Sequence, residues 1–151
     1  MSTVKTIPSF DTTMSVRDTC LCLHVQRAAR ALARRFDEAF RPLELTSGQF
    51  SLLMSLNRPQ PPSIGDVADL LAMDRTTLTA ALKPLKRRKL VTISVDKHDK
   101  RSRRLALTRE GRALLAAAVP VWKKTHAEVD RLLPRTGEAL RRDLTALNAK
   151  E

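Results

Sequence analysis

The chain has 151 residues, which points to one domain or two tightly joined subdomains, and its 42% hydrophobic content excludes a wholly disordered chain. Lys and Arg number 28 against 16 acidic residues, a formal charge of +12, so the expected partner is a polyanion, nucleic acid ahead of an anionic membrane. The first sixteen residues lack an apolar signal-peptide core, and the longest uncharged apolar run, 113–122, is too short to span a bilayer. Two cysteines at C-x-C spacing make no disulfide framework, and the expected setting is the reducing cytoplasm.

In chain order, residues 1–16, with Pro8 and scattered Ser and Thr, read as a flexible tail. A long helix follows, because Leu21, Val25, Ala28, Leu32, Phe36 and Ala39 recur at spacings of three and four. Its opposite face carries Arg27, Arg30, Arg34 and Arg35, and Pro42 marks its end. Thr46 with Gln49 forms a capping-box pattern, opening a helix with Phe50, Leu53, Met54 and Leu56 on its buried side. A stiff loop with three prolines leads to a second capping box, Ser63 with Asp66, and a helix with Ile64, Val67, Leu70 and Leu71 inside. Asp74 is an N-cap for a helix running to about Lys89, and the short gap before it predicts a helix-turn-helix. Residues 91–95 alternate as a half-buried strand, 96–102 form a charged turn, and 103–107 return as a second strand. Thr108 caps a long helix to about His126, kinked at Pro120, and a last helix covers 137–147. The fold class is mainly α with a small β-wing: a winged helix-turn-helix over 46–108, flanked by helices over 17–45 and 109–151. The terminal helices carry more apolar surface than the winged unit needs, so the surplus is expected to pack against a second copy of the chain.

Between Ser63 and Thr108 stand eleven Lys and Arg against five Asp, a local +6 and half the excess charge of the chain. On the fourth helix Arg75, Thr76, Thr77, Thr79 and Lys83 occupy the N-terminal half, where a helix lying in a major groove meets base edges. Threonine serves phosphates, polar base edges or a thymine methyl. Lys86, Arg87, Arg88 and Lys89 are placed for phosphate contact, and Arg103 adds charge at the start of the returning strand. In the turn, Asp99 stands two residues before Arg101. A carboxylate there is expected to hold the guanidinium by a charge-assisted hydrogen bond, ready for a narrow, electronegative minor groove.

These residues carry a resemblance. Leu45-Thr-x-x-Gln49-Phe, Ile64-x-x-Val67-Ala-x-x-Leu71, Asp74-Arg-Thr-Thr-Leu-Thr79, Leu82-x-x-Leu85-x-x-x-x-Leu90-Val and Asp99-x-Arg101-Ser-x-x-x-Ala-Leu-Thr108-x-x-Gly111 together resemble the MarR family of bacterial winged-helix repressors, over about 18–147. The resemblance implies a homodimer joined by its first and last helices, a near-palindromic double-stranded DNA operator, and DNA contacts from the positions of Arg75 to Lys83 and from Arg101. Lys89 stands where the family usually has a glycine ending this helix, and Pro84 removes a backbone donor in mid-helix.

The family usually releases DNA when a small aromatic or anionic molecule binds between the dimer helices and the winged domain. For such an effector, Arg17, His24 and Arg27 are the expected cations and Phe50 and Met54 the apolar wall. Other members respond to cysteine oxidation. The place of Cys22 resembles the reactive cysteine of the peroxide-sensing branch, but the tyrosines of that branch are replaced here by Gln26, Phe36 and Ser47. Cys20 and Cys22, two apart on a helix, are expected to point away from each other, and a structural or pocket-lining role competes with a redox one. No Gly-rich phosphate loop, metal-ligand cluster or nucleophile–base motif is legible, so neither enzymatic activity nor a metal or cofactor is expected. The expected function is a dimeric, sequence-specific repressor released by a small effector. The alternatives are a cysteine-based redox repressor of the same fold and a non-specific architectural DNA binder.

Overall fold

A computed structural model describes residues 6–149. Seven helices and one hairpin follow in the order α1 (Phe10–Thr19), α2 (Leu21–Phe40), a 3-10 turn (Arg41–Leu43), α3 (Ser47–Ser55), α4 (Ile64–Leu70), α5 (Arg75–Arg87), β1 (Val91–Val95), β2 (Arg103–Leu107), α6 (Arg109–Asp130) and α7 (Gly137–Leu147). The core lies where α2, α3 and α6 meet the α4–α5 pair and the hairpin, around Phe40, Leu53, Val67, Leu78, Leu82, Leu85 and Leu105.

The caps form as local chemistry dictates. Thr46 and Gln49 exchange hydrogen bonds at 3.1 and 3.0 Å, and Ser63 and Asp66 do so at 3.1 Å each way, so both capping boxes close. Asp74 accepts from Thr77 N–H at 2.7 Å and opens α5, while Thr108 accepts from Gly111 N–H at 3.0 Å and opens α6. The hairpin is antiparallel, pairing Val91 with Leu107 and Val95 with Arg103. A third segment reaches its free edge: Leu105 N–H donates to Pro62 O at 3.0 Å, and Ser63 bridges Arg104.

Several expectations change. The tail reading fails from Phe10 onward, because Ser9 accepts from Thr12 N–H and caps α1; residues 1–5 of that expected tail lie outside the described residues. No residue of α1 is buried, so no apolar stripe signalled it. The first long helix is also divided at Cys20, whose extended backbone makes it the N-cap of α2 rather than part of a continuous helix. α6 continues through Pro120 to Asp130, one turn beyond its expected end. Met54 and Leu70, expected inside, are 40% and 59% exposed.

Three helix ends use the same closing turn without glycine. Glu44, Ala72 and Lys89 have φ of 51°, 50° and 58°, the left-handed region. At each, the next residue donates back across the turn: Leu45 to Phe40, Met73 to Ala68, Leu90 to Leu85. That is the Schellman pattern, with an apolar residue following the left-handed one and packing against the end of the helix. Lys89 therefore adopts the conformation a glycine would take, at a backbone cost of about 1 kcal/mol, compensated by the burial of Leu90 at 6% exposure.

Candidate nucleic-acid interface and effector cleft

α5 has two faces set by its own spacing. Leu78, Leu82 and Leu85 are buried against the core, which leaves Thr76, Thr79, Lys83 and Arg87 in one exposed row. Pro84 sits on the half-buried side, and the helix runs through it to Arg87. Arg75 is exposed at the first turn with its guanidinium over α4: a Cβ added to Gly65 would lie 3.0 Å from its Nη2. Thr77 is exposed, but its hydroxyl donates to Asp74 at 2.7 Å and is spent on the cap. The hydroxyl of Thr79 donates to Arg75 O at 2.8 Å, leaving its methyl and the oxygen lone pairs outward. The Asp74 carboxyl is held below the usual carboxylate range by the Thr77 amide and hydroxyl, and stays ionised at the N-terminus of α5.

The C-terminal end of α5 is tied down. Arg88 Nη1 donates to Glu44 O at 2.6 Å, joining the helix to the left-handed corner between α2 and α3. Lys83, Lys86 and Arg87 stand exposed together and leave this end strongly positive.

In the wing, Asp99 does not grip the guanidinium of Arg101. Its Oδ1 accepts from the Arg101 backbone N–H at 2.9 Å, an Asx turn that shapes the loop. The arginine held by a carboxylate is Arg104, which pairs with Asp96. Asp96 is 6% exposed and also accepts from the N–H groups of His98 and Asp99 at 2.7 and 3.0 Å. The His98 amide first, then Arg104 and then the Asp99 amide, depress its carboxyl from the usual 3.8 to about 2, against the opposing effect of burial. Arg103 is exposed and folds back on the turn, donating to Lys100 O and Ser102 O at 3.1 and 3.3 Å. Neither Asp96 nor Arg104 was legible as a site residue. An Asp opening a turn was the only local signal, and the spacing of five arginines and lysines around it did not say which one it holds.

The residues expected to meet an effector separate into three places. Phe50 and Met54 do come together, lining a cleft of about 390 Å3 with Ser51, Leu70, Leu71, Val119 and Trp122. A smaller cavity of about 230 Å3 adjoins it, between Phe36, Phe40, Ser47, Phe50, Trp122 and His126. Aromatic rings run through both: Phe40 to Phe50 at 4.9 Å, Phe50 to Trp122 at 6.4 Å and Trp122 to His126 at 5.0 Å between centroids. Trp122 and His126 were not anticipated, since they lie on α6, remote in sequence from α3. His24 and Arg27 instead line an open groove along α2 with Arg30 and Arg34, and Arg17 pairs with Asp18 at 2.7 Å on α1. Within one chain these cations do not reach the aromatic cleft.

Cys22 is exposed, and Gln26 Nε2 donates to its sulfur at 3.3 Å. The Cys20 sulfur accepts from Leu23 N–H at 3.5 Å, at the break between α1 and α2, so the continuous-helix geometry that kept the two thiols apart does not apply. Among the described residues no cluster of three or more His, Cys, Asp or Glu could hold a metal, and no helix is long and apolar enough to cross a membrane.

Residues 43–102 match the MarR family model. The transcriptional repressor NicR of Pseudomonas putida is 38% identical over 77 residues, 51% of this chain and 49% of that protein. The chain thus spans about half the length of the curated relatives it matches first. Among solved structures, the Mycobacterium tuberculosis transcriptional regulator MosR in complex with DNA superposes with a TM-score of 0.79 at 36% identity, covering 85% of this chain and 93% of that one. BpsR of Bordetella bronchiseptica, whose DNA binding is regulated by 6-hydroxynicotinic acid, superposes with a TM-score of 0.78 at 27% identity, over 88% and 96% of the two chains.

Proposed function

The chain belongs to the MarR family of winged helix-turn-helix transcriptional regulators, and from that premise we propose that it binds a near-palindromic DNA operator as a homodimer and represses until a small aromatic or anionic effector releases it. The observation that carries the DNA reading is the pairing of one exposed row on α5 (Thr76, Thr79, Lys83 and Arg87) with the exposed guanidinium of Arg101 on the adjoining wing, which has no partner among the described residues. The row fits a major groove, and the arginine fits the minor groove beside it. Arg75, Thr77, Asp99 and Arg103 act around that surface, by phosphate contact, by capping and by shaping the turn.

The dimer reading is supported by apolar side chains left open on the terminal elements: Phe10, Leu21, Leu132 and Leu147 are each more than 60% exposed. Exposed apolar residues in such a concentration mark a surface that another protein covers. A second copy satisfies this economically, because α1, α2 and α7 all contribute. The effector reading is supported by the ring-lined cleft between α3 and α6, with Arg17, His24 and Arg27 as cations that a partner copy could bring toward it. Selection of a random duplex library on the purified protein tests the function. It is expected to enrich an inverted repeat, Arg101→Ala should weaken binding to it by about tenfold, and 6-hydroxynicotinic acid should displace it. Equal affinity for every duplex would instead support the architectural reading.

A second reading has its own observation. Cys22 is exposed with an amide donor on its sulfur, and Cys20 lies at a helix break two residues away. In this reading oxidation at Cys22 or Cys20 replaces the small effector. Hydroperoxide should then release DNA from the wild type and not from the variant carrying both Cys20→Ser and Cys22→Ser, with Cys22→Ser alone showing which thiol responds.

A further inference from the structure

We propose that Asp96 and Arg104 are positioning residues for DNA reading: together they fasten the wing to the loop entering α4, and so set where Arg101 stands relative to the exposed row of α5. This rests on α5 and the wing being the DNA-contacting surface.

Asp96 is the one charged side chain among the described residues that is buried. Both its oxygens are used: Oδ1 accepts from His98 and Asp99 N–H, and Oδ2 pairs with Arg104. Its own N–H donates to Ser102 O at 3.0 Å, closing the base of the turn. One carboxylate therefore holds the start of the turn that carries Arg101. Arg104 extends the link outward. Its Nη1 donates to Pro61 O at 3.2 Å, and the next residue, Leu105, donates N–H to Pro62 O. Pro61 and Pro62 lead directly into Ser63, the N-cap of α4. The path from helix cap to wing turn is thus Ser63, Pro62–Pro61, Arg104, Asp96 and the amides of His98 and Asp99.

A lone two-stranded hairpin is marginally stable and free to sway. The link supplies the third edge that such a hairpin lacks. Arg101 depends on it, because its side chain has no partner among the described residues and only its backbone is held, by Asp99 at 2.9 Å. Its guanidinium goes wherever the turn goes. A turn held in place before binding loses less freedom when the arginine enters a groove.

The test is a double-mutant cycle on a duplex enriched from a random library, read by fluorescence anisotropy, with melting temperatures measured alongside. Asp96→Ala should weaken binding by about as much as Arg101→Ala, roughly tenfold. The double variant should bind within about twofold of Arg101→Ala, because a mispositioned arginine and an absent one lose the same contact. Arg104→Gln, which keeps the Asp96 turn bonds, reports on the same coupling if Asp96→Ala does not fold. Losses that multiply would overturn the proposal, since general destabilisation acts independently of Arg101. So would wild-type affinity in folded Asp96→Ala. A library that yields no enriched sequence would instead overturn the DNA-reading proposal itself.

Discussion

Gly111 offers a sharp test of the packing between α6 and the hairpin. In most exposed helical positions Gly→Ala stabilises by about 0.5–1 kcal/mol, because alanine loses less backbone freedom on folding. Here the added methyl carbon would lie 2.1 Å from Leu90 O, 3.1 Å from Leu90 C and 3.4 Å from Leu107 Cδ2. Relief requires a separation of about 0.9 Å between α6 and the chain at Leu90. Leu90 cannot move freely. Its N–H closes the end of α5, its carbonyl accepts from Thr108 N–H at 3.0 Å, and the Thr108 hydroxyl donates to Lys89 O at 2.6 Å. Overpacking costs about 1–3 kcal/mol, and losing the Thr108 bond adds about 1 kcal/mol. Less the helix gain, Gly111→Ala should destabilise by about 1–3.5 kcal/mol, a fall of about 2–14 °C in melting temperature for a domain of this size. Circular dichroism melts at one fixed protein concentration measure it, since any dimerisation makes the midpoint concentration-dependent. Gly48→Ala is the control: nothing lies within 4 Å of its added methyl, so it should be neutral or stabilising. If Gly111→Ala matched Gly48→Ala, the close approach to Leu90 would be wrong.

Lys89→Gly should stabilise by up to about 1 kcal/mol in urea denaturation, because φ of 58° strains lysine and not glycine; a loss would show that Lys89 makes a compensating contact. Asp96 has a folded-state pKa of about 2 against an ordinary 3.8, so its contribution is complete above pH 3.8 and is lost as pH falls toward 2. Wild type should therefore lose more melting temperature than Asp96→Asn over that window, and parallel profiles would reject the role of its carboxylate. Trp122 is the single tryptophan and lines the aromatic cleft, so an aromatic carboxylate bound there should quench its fluorescence. Met54→Glu, placing a like charge on the cleft rim, should weaken that binding by roughly tenfold, from a repulsion of about 1–2 kcal/mol. Unchanged affinity would move the effector elsewhere.

The elements readable from the chain were those whose physics is local. Thr46–Gln49, Ser63–Asp66, Asp74 and Thr108 each bond to a residue three positions on, so a short window contains both partners. The strands at 91–95 and 103–107 and the last helix at 137–147 came from periodicity within one element. The exposed row of α5 follows the same way, since burying Leu78, Leu82 and Leu85 forces Thr76, Thr79, Lys83 and Arg87 outward. Helix α1 escaped that reading because its sequence has no apolar face to detect.

Tertiary structure decided what depended on partners far along the chain. Arg104 meets Pro61 across 43 positions and Arg88 meets Glu44 across 44, and no spacing rule relates them. Asp99 and Asp96 stand in one turn among several arginines and lysines. Only the strand register, which sets Arg104 opposite Ser94 and its side chain toward the Pro61 loop, sends the ion pair to Asp96 and leaves Arg101 without a side-chain partner among the described residues. The aromatic cleft likewise needs α3 against α6, which brings Phe50 to Trp122. By itself the sequence determined a basic helix-turn-helix with a charged wing, because amphipathicity, caps and charge are written residue by residue. Which arginine is held by a carboxylate and which has no partner among the described residues was decided by packing, because that choice is a comparison of distances that exist only in the folded chain.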